Sequence, residues 1–334
     1  MRLHFIPLLF ITLFSFGQNS LQSYADNRLL AMLKTQQADN GLIILKEVAT
    51  DKIVAKSSFV SKKAKNGIVY EKDSSLFASM IEPGGLMIPV SVGYLLDNTN
   101  LSLLDSVNIE SGSTTIGNLK VYDSEDFGLR YTSLKNVVEI SSNVGVAKLF
   151  NTTLKEQEID HFKHAINSYF KARDVFGKNE LSLITIPFIS FGYGLLLSPI
   201  QILNYYNRLA LSDPSLYKKS TTMQQLHDVL VGVSKNGTSK QLLDNSKTEI
   251  ASKTGTILAL NKDGYTNYDL FLPKYSKGEV PFEICDKPKS KLMKYNDVDH
   301  IKKKKIENFR NSHFALFSHK FKIFHTHNVL HIFG

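Results

Sequence analysis

Cysteine is nearly absent from this chain: Cys285 stands alone among 334 residues. That excludes an internal disulfide and any multi-cysteine zinc site. Nine prolines and 19 glycines leave no collagen-like, coiled-coil or disordered signature, so a globular body with a sizeable core is expected. Internal repeats are missing as well. So is a basic body. The net charge is +9, but from Asp286 to Gly334 eleven Lys or Arg stand against four Asp or Glu, leaving only +2 over the rest. A nucleic-acid partner is therefore not expected. The histidines His319, His325, His327 and His331 sit in that tail without a clustered acidic partner, so no metal and no other cofactor is expected.

Long apolar runs are scarce too. The one at the start, Phe5 to Phe16, follows Met1-Arg2 and leads into Gly17-Gln18-Asn19-Ser20. A basic start, about a dozen apolar residues and a small or polar exit read as a secretory signal over residues 1–18. A membrane span needs ~20 apolar residues, so a retained short anchor is the second reading. Either way the chain is expected to be exported, to the periplasm or cell envelope.

Hydrophobic periodicity predicts a helix over Leu21–Thr35, a strand at Gly41–Leu45, a turn at Ala49–Lys52 and a return strand at Ile53–Ala55. Lys62–Asn66 and Glu71–Ser75 read as polar loops. A helix is expected from about Gly85 to Leu96. Short strands are expected at Ser106–Ile109 and Leu119–Tyr122. Thr132-Ser133 caps a helix over Leu134–Ile140, and Val144–Phe150 and Glu156–Phe170 continue the helical pattern. Ser198-Pro199 starts another, with Pro199 in its first turn. Met223–Val233 is helical, and Thr248–Ser252 reads as a strand running into Lys253. Tyr268–Pro273 offers one further strand, whereas the stretch after Cys285 fits neither pattern. The expected organisation is a main domain over 21–285 followed by a basic, poorly patterned tail over 286–334.

Several short segments follow one another in a meaningful order. Glu82-Pro83-Gly84 precedes an apolar helix, followed by Ser141-Ser142-Asn143-Val144-Gly145. Phe191-Gly192-Tyr193-Gly194 comes next, with Ser198-Pro199-Ile200-Gln201, Asn236-Gly237-Thr238 and Lys253-Thr254-Gly255-Thr256. Together they resemble the transpeptidase domain of penicillin-binding proteins, nearest the monofunctional, septum-building class, over roughly Asp39 to Leu260. The resemblance implies an α+β fold, an antiparallel sheet flanked by helices, with the site at the edge of the K-T-G strand. It also implies peptidoglycan synthesis as the setting and a stem peptide or β-lactam as ligand.

The first motif of that family, S-x-x-K, supplies a nucleophilic serine and a lysine one helical turn later on the same face. Here those positions read Gly85 and Ile88. Removing the serine from a comparable constellation costs about 10⁶-fold in turnover, so the site is expected to lack its acylation step. By resemblance Ser141 would relay a proton, Asn143 would hold the substrate amide, and Lys253, Thr254, Gly255 and Thr256 would meet the substrate carboxylate and carbonyl. The leading expectation is a pseudoenzyme that binds peptide or β-lactam without a covalent bond. One alternative is an acyl-transferase with an unrecognised nucleophile, for which Ser168-x-x-Lys171 and Ser215-x-x-Lys218 stand out of order. Another is a structural partner of cell-division proteins. The resemblance fades after Leu260, where an unclosed sheet is expected, as in a decayed or frame-shifted copy.

Overall fold

The computed structural model describes residues 21–35, 38–65, 67–124, 126–177, 181–240 and 249–255, with the backbone of 314–317 and 329–333. Residues Met1–Ser20, Thr256, Tyr268–Pro273, Cys285 and the lysine run Lys302–Lys305 lie outside these.

Helix α1 spans 21–35. Strand β1 (Asn40–Glu47), β2 (Lys52–Ala64) and β3 (Gly67–Lys72) form an antiparallel meander. Both faces of β1 are covered. Ile43 and Leu45 pack with Ala25, Leu29 and Leu33 of α1, while Leu42 and Ile44 belong to the main core. A strand buried on both sides reads as a continuous apolar run rather than an alternation, as Leu42-Ile43-Ile44-Leu45 does. The segments Lys62–Asn66 and Glu71–Ser75, expected as loops, are strand up to Ala64 and through Lys72. Their ladder joins Lys62 to Val69 and Val60 to Glu71. Exposed side chains here gave no alternating signal, but backbone pairing with β2 holds the strand regardless.

The helical body begins with a short 3₁₀ turn, Gly84–Met87, that runs into α2 (Ile88–Asn98). Two small hairpins follow, β4 (Ser106–Asn108) with β7 (Tyr131–Ser133), and β5 (Ser113–Ile116) with β6 (Leu119–Tyr122). Helix α3 (Leu134–Glu139) starts at Ser133, whose hydroxyl accepts the Asn136 N–H at 3.2 Å. Then come α4 (Asn143–Thr153), α5 (Ile159–Tyr169), the short α6 (Ile186–Ile189), α7 (Pro199–Ala210) and α8 (Ser220–Lys235). In α7 the expected start is a full capping box, Ser198 with Gln201. Leu95, Val137, Phe150, Phe162, Tyr205 and Leu230, each at most 1% exposed, are at the centre of this body.

The sheet ends in β8 (Ala251–Thr254), which carries the K-T-G lysine. Its order is β3-β2-β1-β10-β9-β8, where β9 is Phe314–Phe317 and β10 is Val329–Phe333. The two strands come from the stretch expected to fit neither strand nor helix, and the sheet runs unbroken where it was expected to stay open. Phe314–Phe317 is a run of only four apolar residues, and Val329–Phe333 is broken by His331. Short runs of that kind are ambiguous in a sequence. Among the described residues no helix is long and apolar enough to cross a membrane.

Candidate functional site

Three separate stretches of chain converge on Gly85. The first is the Glu82-Pro83-Gly84 turn that opens α2. Glu82 is buried and accepts the Gly194 N–H at 2.9 Å. Burial pushes its carboxyl above the usual range, opposed by that backbone hydrogen bond. Gly192, at φ +93°, brings its backbone so close to Gly84 that an added Cβ would fall on the Gly84 carbonyl oxygen and 2.5 Å from the Gly84 nitrogen. Only glycine fits such an approach. The Phe191–Gly194 segment is thus the wall against which the start of α2 is built. Tyr206 of α7 ties the same turn down, its hydroxyl donating to the Leu86 carbonyl at 2.7 Å.

The second stretch is the bend between α3 and α4. Ser141 sits at φ +59°, a left-handed conformation that costs a non-glycine residue roughly 1–2 kcal/mol. The bend is held from below. Ser142 is fully buried, accepts the Gly145 N–H at 2.9 Å and donates to Asp123 at 2.8 Å. Asp123 also accepts the Val144 N–H at 2.9 Å. Burial raises the Asp123 carboxyl, against the backbone and hydroxyl donors that favour its charged form. Ser142 is therefore the cap of α4. The Asn143 amide instead donates to the Tyr122 carbonyl at 3.0 Å.

The third stretch is β8. Lys253 is 1% exposed, and burial alone pulls its amine from 10.5 down to about 7. The amine donates to the Ser141 hydroxyl at 2.6 Å and to the Thr254 carbonyl at 2.7 Å. Thr254 pairs its hydroxyl with that of Thr238 at 2.7 Å, so the Asn236-Gly237-Thr238 segment is brought beside the K-T-G strand. Gly255 comes so near the helix-opening turn that a Cβ would stand 2.8 Å from Leu86 and 3.0 Å from the Pro83 carbonyl.

Position 85 itself is closed. An added Cβ would meet the Ser141 Oγ at 2.7 Å, the Thr254 carbonyl at 3.0 Å and the Lys253 amine at 3.4 Å. Ile88 is fully buried. Of the residues singled out in the sequence, Gly85, Ser141, Lys253, Thr254 and Gly255 meet at one point, Ile88 lies just inside the core, and Asn143 is turned to Tyr122. Thr256 lies outside the described residues. Neither out-of-order S-x-x-K pair joins this point. The Ser215 hydroxyl is bonded to Asp213 and Arg208, and the Lys218 amine to Asn98. Ser168 offers its carbonyl to Arg208 at 3.5 Å. Sequence reasoning missed the supporting residues Asp123 and Tyr206. Glu82, Gly194 and Thr238 were quoted only as parts of motifs, and nothing in their spacing showed what they touch.

The family model for the penicillin binding protein transpeptidase domain matches residues 41–272. The chain belongs to this family. Among curated relatives, the probable peptidoglycan D,D-transpeptidase PenA of Neisseria flavescens is 22% identical over 277 residues, covering 74% of this chain and 67% of the relative. PenA of Neisseria gonorrhoeae is also 22% identical over 267 residues, 71% of this chain but only 44% of that protein. Two solved structures share the fold. The transpeptidase domain of Burkholderia pseudomallei penicillin-binding protein 3 superposes with a TM-score of 0.59 at 19% identity, over 75% of this chain and 78% of that one. A structure titled as a peptidoglycan glycosyltransferase from Burkholderia ambifaria gives 0.61 at 16% identity, covering 94% and 87%. In this penicillin-binding-protein-type domain the K-T-G and S-x-N segments lie against the α2 turn.

Proposed function

We propose that this domain acts in peptidoglycan metabolism by recognising a carboxylate-ended stem peptide, without the D,D-transpeptidase turnover its family is named for. One observation carries the reading: the place of the nucleophile is a buried glycine with the Ser141 hydroxyl packed against it, and one turn on stands a core isoleucine. A serine oxygen and a lysine amine are what acyl transfer at this turn requires, and side chains at 85 and 88 provide neither.

Recognition is supported by what stays in place. The half-buried Ser141 and Thr254 hydroxyls form the reachable edge of the site, with Lys253 directly behind them. A carboxylate brought to that edge would favour the charged form of Lys253, because an opposite charge nearby stabilises the ammonium. Binding would then take up a proton at and above about pH 7. The N-terminal pattern supports an exported setting, the periplasm or envelope. Division proteins as partners remain the other reading, and no contact in the structure favours it.

Calorimetry with a D-Ala-D-Ala-ended peptide tests this. Binding is expected, with an enthalpy that changes with the buffer's ionisation heat, and Lys253→Met should abolish both. No release of D-Ala is expected on long incubation. Absence of binding heat by the folded protein, or steady D-Ala release, would overturn the reading.

A further inference from the structure

Strand β3 is the edge of the sheet opposite β8, far from the cleft beside the K-T-G strand. The Asp73 N–H donates to the Ser58 carbonyl at 3.2 Å, and in an antiparallel ladder such hydrogen-bonded pairs alternate with non-bonded ones. Glu71 and Val69 therefore turn their backbone groups inward, to Val60 and Lys62. Ile68, Tyr70 and Lys72 turn theirs outward, and among the described residues no partner meets them. Along the first half of β2, which β3 does not reach, the edge is closed differently. There the Gln22 side chain donates to the Lys56 carbonyl at 2.8 Å and accepts the Lys56 N–H at 3.1 Å. The outer side of β3 has no such cover, yet the strand is held in place. Its Tyr70 hydroxyl is shared between the Leu33 and Ala38 carbonyls at 3.0 Å each. Ile68 and Val69, on opposite faces of this edge, are 60% and 44% exposed.

The same hairpin is basic: residues 52–72 hold six lysines and one glutamate. Lys62 is paired with Glu71 and Lys72 with Asp26. Lys63 and Lys65 are exposed and have no ion pair among the described residues, and Lys63 stands directly across from Ile68. Lysines on an open edge keep like chains from pairing side by side, and a second copy would set these charges against themselves. An acidic strand meets no such barrier. We infer that β3 takes up an extended, acidic segment of another protein as a seventh strand of the sheet. Main-chain hydrogen bonds to Ile68, Tyr70 and Lys72 supply the affinity, as in other cases of strand addition. Carboxylates reaching Lys63 and Lys65 on one face, with a β-branched side chain against Val69 on the other, select the segment. None of this depends on the stem-peptide reading. The cleft is at the opposite edge, so a partner held on β3 leaves it open.

The test uses the full chain and a labelled, end-blocked peptide of alternating glutamate and valine, followed by fluorescence anisotropy and amide hydrogen exchange. Binding is expected, with new protection at the Ile68, Tyr70 and Lys72 amides. Methylating the peptide's backbone nitrogens on the side that faces β3 should weaken it about tenfold or more, and so should replacing its glutamates by lysine. Ile68→Pro removes one outward N–H without touching the ladder to β2 and should also cost about tenfold. Lys63→Glu with Lys65→Glu changes only exposed side chains and should weaken binding in the same direction, so the inference stays testable if the proline variant unfolds on heating too early. A folded wild-type protein that does not bind the peptide overturns the inference. So does equal binding of oligoglutamate with no effect of methylation, which is charge alone, or displacement of the probe by a D-Ala-D-Ala-ended peptide, which places it in the cleft. Dimers of the wild type that Ile68→Pro abolishes would assign the edge to a second copy and overturn it as well.

Discussion

Lys253 is the residue on which stability and chemistry meet. Its amine titrates at about 7 in the native chain and at the ordinary 10.5 once unfolded. Between those values the unfolded chain carries a proton that the native chain lacks, so stability rises with pH across this window. Below about pH 7 both states are charged and the full penalty of the buried ammonium is felt. Lys253→Met is therefore expected to be more stable than the wild type at pH 6, with the advantage shrinking by a few kcal/mol towards pH 10. Urea unfolding at a series of pH values measures this, and an advantage that stays flat or grows would refute it. That Gly85 and Ile88 stand where the resemblance would put a serine and a lysine was legible in the sequence, because a motif with two fixed positions either has those residues or does not. The contact between Ser141 and Lys253 was not legible, since 112 residues separate them and only the fold sets their distance.

Among the elements, two backbone positions make opposite demands on glycine. At Gly192 the chain needs it, because φ is +93° and any Cβ would run into the Gly84 backbone. Gly192→Ala should destabilise the protein by more than about 3 kcal/mol, counting strain and forced backbone displacement. It should also loosen the turn that carries Gly85. Equilibrium unfolding reports the first effect; a loss below 1 kcal/mol would mean the two segments separate easily. At the end of α7 the chain could use a glycine and has none. The Asp213 N–H donates to the Arg208 carbonyl and the Ser212 N–H to that of Leu209. This is a Schellman closure with Ser212 at φ +52°. Ser212→Gly is expected to raise stability by about 0.5–1 kcal/mol, read as a shift in midpoint at unchanged slope. Helices α1, α3 and α7 were legible from apolar spacing and caps. The second half of β2 and the strand β3 were not, because a solvent-facing hairpin is specified by backbone pairing rather than by buried side chains.

For the whole molecule, the sheet depends on chain that comes last. Strand β8 pairs with β9, β9 with β10, and β10 with β1, so among the described residues the K-T-G strand is linked to the first three strands through β9 and β10. Deleting residues 314–334 would leave β1 with a bare edge and β8 without a partner. Open edges of this sort invite aggregation. The truncated protein is expected to be largely insoluble, and its soluble fraction to lose the sharp thermal transition of the full chain. A soluble, cooperatively folding truncation would show that β8 is held by the helices alone.

The sequence by itself determined the family and the helical body, and that a glycine and an isoleucine stand at positions 85 and 88. Each of those is written in residue type and short-range order. Tertiary structure alone decided that the Ser141 hydroxyl lies beside Gly85 and a buried amine, that Gly84 and Gly192 touch through their backbones, and that β9 and β10 stitch the sheet together. Such facts depend on which remote segments come within a few ångströms of each other. Local spacing cannot specify that, because contact between distant segments is chosen by the packing of the entire core.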